Sequence, residues 1–236
     1  MQGVDSTSNF LCVFDCDGTM VDSQHGIILC MTAAFRELGW DDPEAESVRR
    51  CVGLPLVEAI EHLAPSKPSF DHNKASDYYK TTFAQIRADG RLTEDLYEGI
   101  ADTLINLEAQ GWLLGVATGK SRRGLDATLA HHNLAHHFVT LKTADVARGK
   151  PDPDMLFQAM AEAGSESAST VMIGDTTFDI EMAVRANVTA IGVSWGYHPV
   201  SDLRDAGAHF IIKNSRELPD ILSSRFKPES RNENRC

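Results

Sequence analysis

Two rhythms of apolar residues run along this chain. Phe10-Leu-Cys-Val-Phe14 is an uninterrupted apolar run with strand-forming Val and Phe, which predicts a strand buried on both faces. It ends abruptly in Asp15-Cys-Asp-Gly-Thr19. From Gly26 to Trp40 the apolar residues fall at 27, 28, 31, 34, 35 and 38, the spacing of a helix with one buried face, and Gly39 lies where that helix stops. Helical spacing continues over 44–51, 56–63 and 70–88 without a convincing strand. Pro55 suits the first turn of the second of these helices, and Pro65 and Pro68 separate the second from the third.

Beyond residue 92 the texture changes to alternation. The pattern predicts a helix over 100–110, a strand over 112–117, a helix over 122–131, a short strand at 138–139 and a helix over 153–163. A strand at 171–173, a helix at 178–186, strands at 190–193 and 210–212 and a helix at 215–224 complete it. Strands alternating with helices of this length predict a parallel sheet covered on both faces. The expected fold is therefore α/β, a Rossmann-like parallel core made of 1–21 and 93–225, with an all-helical block, 22–92, inserted after the first strand. Residues 226–236 read as a polar, frayed tail.

Composition narrows the possibilities without naming a function. The 236 residues, 42% hydrophobic and 24% charged, are those of an ordinary globular protein. A formal net charge of −12 argues against a nucleic acid or anionic membrane as partner, since both require a basic face. No apolar stretch approaches the roughly 18 residues of a membrane span, and Met1–Asn9 does not resemble a signal peptide. Five cysteines with no C-x-x-C pair fit reduced thiols in a cytoplasmic protein. Oligomeric state is open between monomer and homodimer.

Candidate chemistry gathers at four strand ends: Asp15-Cys-Asp-Gly-Thr19, Val116-Ala-Thr-Gly-Lys-Ser121, Gly149-Lys-Pro-Asp-Pro153 and Ile173-Gly-Asp-Thr-Thr-Phe-Asp179. In a parallel sheet all four face one crevice. There Asp15 and Asp175 could supply hard oxygen ligands to Mg²⁺. Thr118, the backbone N–H of Gly119 and the ammonium of Lys150 could bind a phosphoryl group. A carboxylate can attack phosphorus, and Asp17 could then exchange protons with the leaving oxygen and with water. Each element alone has a plainer reading as turn, helix cap or surface lysine. Thr118-Gly-Lys-Ser121 is not a Walker loop, because Gly115 and Gly119 are separated by only three residues, two of them in a strand. Four such strand ends in this order favour a functional site.

Together these residues resemble the haloacid dehalogenase superfamily of phosphohydrolases over about residues 9–224. Asp15-Cys-Asp-Gly-Thr19 matches its first motif, Thr118-Gly119 the second, Lys150 the third, and Gly174-Asp175 with Asp179 the fourth. Residues 149–153 and Ser194–Pro199 are most similar to the phosphoglycolate phosphatase-type branch, and the helical block resembles the family's cap.

The resemblance implies a nucleophile and metal ligand at Asp15, and at Asp17 an acid/base whose main-chain carbonyl also binds Mg²⁺. It implies Asp175 as a further ligand, supported by Asp179, and a phosphate site formed by Cys16, Asp17, Thr118, Gly119 and Lys150, with Lys150 also orienting Asp15. The second acid excludes the dehalogenase branch. Cys16 stands where relatives carry a larger apolar residue, so its thiol is a candidate for oxidation. In the cap, Arg50, Gly53 and Leu54 are candidates for substrate specificity. The expected activity is Mg²⁺-dependent hydrolysis of a small phosphorylated metabolite, phosphoglycolate-like or a sugar phosphate, through an aspartyl phosphate. A phosphomutase of β-phosphoglucomutase type and a non-catalytic binding protein are the alternatives. His131, His132, His136 and His137 do not share a helical face and are not expected to bind metal.

Overall fold

The computed structural model describes residues 8–226. Strand β1 (Leu11–Phe14) runs into a tight turn and then β2 (Val21–Asp22). Four helices follow: α1 (Gln24–Glu37), α2 (Ala45–Cys51), α3 (Leu56–Leu63) and α4 (Ser69–Ala88). The chain returns through β3 (Asp95–Leu96), which pairs antiparallel with β2 so that Val21 faces Leu96. It continues as α5 (Ile100–Ala109), β4 (Leu113–Thr118), α6 (Arg122–His131), β5 (Phe138–Thr143), α7 (Asp154–Ala163) and β6 (Thr170–Gly174). The last elements are α8 (Thr177–Arg185), β7 (Thr189–Val193), α9 (Val200–Asp205), β8 (Phe210–Ile212) and α10 (Leu218–Arg225).

Six strands form one parallel sheet in the order β5-β4-β1-β6-β7-β8. After β1 the chain builds outward on one side through β4 and β5. It then crosses to build outward on the other side through β6, β7 and β8. The crossing opens a crevice at the carboxyl ends of β4, β1 and β6, where ligands bind in sheets of this kind.

The unbroken apolar run of β1 follows from burial on both faces. Cys12 and Phe14 enter one core with Leu104 of α5, Leu125 of α6 and Leu222 of α10. Leu11 and Val13 enter the other with Met155 of α7, Ile180 of α8 and Leu203 of α9. A third, separate cluster, built around Ile27, Met31, Phe35 and Ile60, holds α1 to α4 together. The helical block thus has its own apolar centre, joined to the sheet through the β2–β3 ribbon.

Four details depart from the sequence reading, and each has a physical cause. The fifth strand spans Phe138–Thr143, longer than 138–139, because Glu162 of α7 accepts from Thr140 Oγ1 at 2.6 Å and pairs with Lys142 Nζ at 2.5 Å. Those partners let polar residues occupy a buried strand. The β2–β3 ribbon has two residues per strand, too few to show alternation. Helix α9 buries only Leu203 and so leaves no periodic signal. Phe226, expected to begin the frayed tail, is instead seated against Trp112, with ring centroids 5.4 Å apart in an edge contact, and against Phe10 at 6.3 Å. Its aromatic surface gains more from that contact than from solvent. The remainder of the expected tail, 227–236, lies outside the described residues.

Candidate active site

The site begins with a turn. Cys16 O accepts from the backbone of both Met20 and Val21, and Gly18 N donates to Val21 O. Gly18 has φ +82°, a conformation that disfavours a side chain, and a Cβ there would stand 2.2 Å from Asp175 Oδ2. The glycine therefore lets the β1 turn approach the end of β6. Thr19 Oγ1 donates to Asp175 Oδ1 at 2.8 Å, and Tyr197 N donates to Oδ2 at 2.9 Å.

Asp15, Asp175 and Asp179 are all buried and offer carboxylate oxygens within 4.8 Å of one another. Lys150 Nζ is 2.8 Å from Asp15 Oδ1 and 2.6 Å from Asp179 Oδ1. One ammonium thus faces two carboxylates, in a cluster of three. Burial, against the opposing pull of Lys150, pushes Asp15 up to about 7, and burial together with Asp179 and Asp15 raises Asp175 well above the usual range. Burial acts to lower Lys150, but Asp15 and Asp179 outweigh it and hold the amine protonated. Asp15 Oδ2 has no hydrogen-bond partner. An orphaned buried oxygen within an all-carboxylate donor set fits a hard divalent cation, which would balance the excess negative charge. Asp179 has a second task as the capping box of α8, where Thr176 N and Oγ1 donate to its Oδ2 at 3.1 and 2.7 Å.

Asp17 looks elsewhere. Its Oδ1 accepts from Ser23 Oγ, which lies 3.2 Å from Tyr197 Oη, and forms an ion pair with Lys120 Nζ at 2.9 Å. The side chains of Asp15 and Asp17 are therefore held by different lysines. Thr118, at the end of β4, is buried and its Oγ1 accepts from Lys120 N at 3.2 Å. Gly119 meets the helical block: a Cβ on it would lie 2.9 Å from both Gly53 O and Leu54 O. The loop between α2 and α3 therefore rests on the strand end that carries Thr118. Pro55, the residue before α3, touches Gly149 in the same way.

The structure thus gathers Asp15, Asp175, Asp179 and Lys150 into one buried cluster, sets Asp17 against Lys120, and adds Ser23, Lys120 and Tyr197 to the residues singled out in the sequence. The profile of the family described as haloacid dehalogenase-like hydrolase matches residues 12–193, spanning all four motifs. The chain belongs to that family. A probable phosphatase IndB from Dickeya dadantii is 33% identical over 226 residues, covering 93% of this chain and 96% of the relative. A phosphoglycolate phosphatase from Nitrosococcus oceani is 27% identical, covering 89% and 95% respectively. The crystal structure of a predicted phosphatase from Clostridium acetobutylicum superposes with a TM-score of 0.81 at 27% identity, covering 92% of this chain and 99% of that one.

For this haloacid dehalogenase-like hydrolase, the remaining candidates sort by what they touch. Gly53 and Leu54 reach the site through their backbone. The Arg50 side chain does not, because its guanidinium pairs with Asp202 at the start of α9 and with Glu46. Arg50 O accepts from His198 Nε2, whose Nδ1 in turn accepts from Thr177 N. Burial pushes the His198 pKa down, in keeping with that neutral tautomer. Arg49, rather than Arg50, lines an open cavity of about 410 Å³ with Asp22, His25 and Asp95.

Cys16 is fully buried, and burial followed by the neighbouring Asp17 raises its thiol well above the ordinary range, the opposite of a reactive cysteine. His132 contacts Glu94 O and His137 contacts Glu108, so these two histidines have structural partners. No helix among the described residues is long and apolar enough to cross a membrane.

Proposed function

We propose that this hydrolase is a Mg²⁺-dependent phosphatase that cleaves a small phosphomonoester through an aspartyl phosphate on Asp15. The observation that carries the reading is Asp15 Oδ2, an unpartnered buried carboxylate oxygen beside an ammonium and next to the acids of a cation site. Asp15, Asp175 and the main-chain carbonyl of Asp17 would hold the Mg²⁺, with Asp179 behind them. The bound ion would supply charge neutralisation for the incoming phosphoryl group.

Lys150 and Thr118 hold phosphoryl oxygens, together with backbone groups at Cys16, Asp17 and Gly119. A carboxylate oxygen of Asp15 forms a bond to phosphorus as the ester P–O bond breaks, and Asp17 delivers a proton to the departing alkoxide. The same carboxylate then takes a proton from water as that water attacks phosphorus. Free phosphate leaves and Asp15 is restored.

Residues 22–92 act as a cap in this reading. The contacts of Gly53, Leu54 and Pro55 with Gly119 and Gly149 support it, because those two glycines neighbour Thr118 and Lys150 in the chain. The phosphatase relatives and the acidic surface favour a metabolite such as phosphoglycolate or a sugar phosphate. Four free cysteines among the described residues are consistent with a reducing cytoplasm.

A panel of phosphomonoesters assayed for free phosphate with Mg²⁺ and with chelator tests the reading. Phosphate release that needs Mg²⁺ and disappears in Asp15→Asn supports it. Conversion of glucose 1-phosphate to glucose 6-phosphate without phosphate release would make the protein a mutase. No turnover anywhere on the panel would make it a binding protein.

A further inference from the structure

Lys120 is a buried cation that the phosphate site does not use. Its side chain is 10% exposed, and Nζ lies 2.9 Å from Asp17 Oδ1 and 3.4 Å from Glu94 Oε1. Burial opposes its charge, but Asp17 and then Cys16 and Glu94 outweigh that effect and keep it an ammonium. The ammonium also faces the Phe83 ring of α4, 5.4 Å from its centroid.

Glu94 is in turn fully engaged. Arg87 of α4 binds its Oε2, Thr128 of α6 contacts its Oε1 at 3.5 Å, and His132 holds its backbone carbonyl at 2.6 Å. Arg87 also donates to Thr128 Oγ1 at 3.0 Å. Glu94, which meets Lys120 from behind, is therefore itself held by groups on α4 and α6.

The two contacts on Asp17 share one feature. Ser23 Oγ and Lys120 Nζ both meet Oδ1, which leaves Oδ2 as the oxygen that neither touches. A carboxyl group held by one oxygen has its rotamer set and its second oxygen presented. We propose that Lys120, backed by Glu94 and Arg87, is a positioning residue that holds Asp17 so that Oδ2 exchanges the proton with the leaving oxygen. This rests on the phosphatase reading above and deepens it by assigning the support of its acid. Because Arg87 and Glu94 belong to α4 and the segment leading to β3, that support comes from the helical block and its return to the core.

Leaving-group dependence separates this role from a structural one. An alkyl phosphate needs a proton on its departing oxygen, whereas p-nitrophenolate departs readily without one. kcat/KM covers the steps up to formation of the phosphoenzyme, so it reads that proton delivery directly. The holoenzyme with Mg²⁺ is compared with Lys120→Met on p-nitrophenyl phosphate and on the best alkyl phosphate. Lys120→Met is expected to lower kcat/KM for the alkyl ester by about tenfold more than for the aryl ester, within the range of general acid catalysis. In an Asp17→Asn background the same change should leave the alkyl-to-aryl ratio where Asp17→Asn put it.

Lys120→Gln retains a donor in the buried site and provides a second variant, with the same bias in smaller measure. Equal losses on both esters, or a further bias in the Asp17→Asn background, would overturn the positioning role. So would loss of the folded state in both variants, which would make Lys120 a structural residue. Failure of the unmodified protein to hydrolyse either ester would instead remove the phosphatase reading itself.

Discussion

Lys150 Nζ stands 2.8 Å from Asp15 Oδ1, with both side chains withdrawn from solvent. The pair does more than satisfy two buried charges. It turns one oxygen of Asp15 toward the lysine and leaves Oδ2 without a partner. Lys150 is in turn anchored by Asp179, which the Thr176 capping box fixes at the start of α8. Lys150→Ala would leave the buried carboxylates of Asp15 and Asp179 without their cation and the phosphoryl group without its ammonium. We expect kcat to fall by at least about 10²-fold, the scale for losing a preorganised electrostatic contact. A loss of only a few-fold in steady-state assays would place Lys150 outside the reacting centre.

Asp15→Asn should behave differently on the two axes of activity and stability. The amide cannot form the aspartyl phosphate, so turnover should vanish. It also removes one of three clustered negative charges, so the metal-free protein should melt no lower than the parent. Thermal denaturation in chelator, paired with phosphate release in Mg²⁺, checks both. Substantial residual turnover would sink the nucleophile assignment.

Gly18→Ala tests the turn. The new methyl would meet Asp175 Oδ2 at 2.2 Å, and φ of +82° itself costs a non-glycine residue roughly 1–2 kcal/mol. The clash falls on a proposed metal ligand, so a Mg²⁺ titration should show weaker binding as well as a lower Tm. Unchanged Mg²⁺ affinity would mean that Asp175 can move aside without consequence.

The acids of this site were legible because each follows a strongly patterned strand. Phe10–Phe14, Trp112–Ala117 and Val171–Ile173 announce themselves as buried strands, and the residues after them fall at one crevice by topology alone. Lys120 was harder to read. It lies within Thr118-Gly-Lys-Ser121, where the family motif covers only Thr118-Gly119 and the spacing rejects a phosphate loop. Its partner Glu94 is 26 residues upstream in a segment without periodicity, so nothing local joins them. Ser23 and Tyr197 are similar, with hydroxyls 174 residues apart that meet only because β2 and the segment after β7 converge on Asp17. Arg50 shows the reverse failure. An arginine near a glycine loop looks like a ligand for an anion, but two acids, one of them on α9, already claim it.

The pH dependence of metal stabilisation follows from the raised carboxyl. Asp15 is pushed from an ordinary 3.8 to about 7 in the folded chain, chiefly by burial. Between those values the folded chain holds a proton that the unfolded chain has released, so this group's contribution to stability declines as pH rises through 7. A divalent cation binds the ionised form and should reverse that decline. The gain in Tm from Mg²⁺ over chelator should therefore be small near about pH 5 and largest above about pH 7. A gain that stays flat across that interval would mean that Asp15 does not take up the ion as a carboxylate.

The contact between Gly149 and Pro55 permits a compensation experiment on the helical block. A Cβ on Gly149 would lie 2.1 Å from Pro55 Cγ and 2.7 Å from Cδ, but 3.5 Å from Cβ. Gly149→Ala should therefore push the α2–α3 loop away from Gly119 and the neighbouring Lys150, lowering kcat/KM for every substrate that the loop covers. Pro55→Ala removes the two offending ring carbons and keeps the atom that has room. The double variant Gly149→Ala with Pro55→Ala should recover most of the lost kcat/KM, whereas Pro55→Ala alone should change it little. Recovery would tie the defect to loop seating. If the double variant is as impaired as Gly149→Ala, the damage lies in the backbone beside Lys150, and closure of the loop over the site is not what the contact secures.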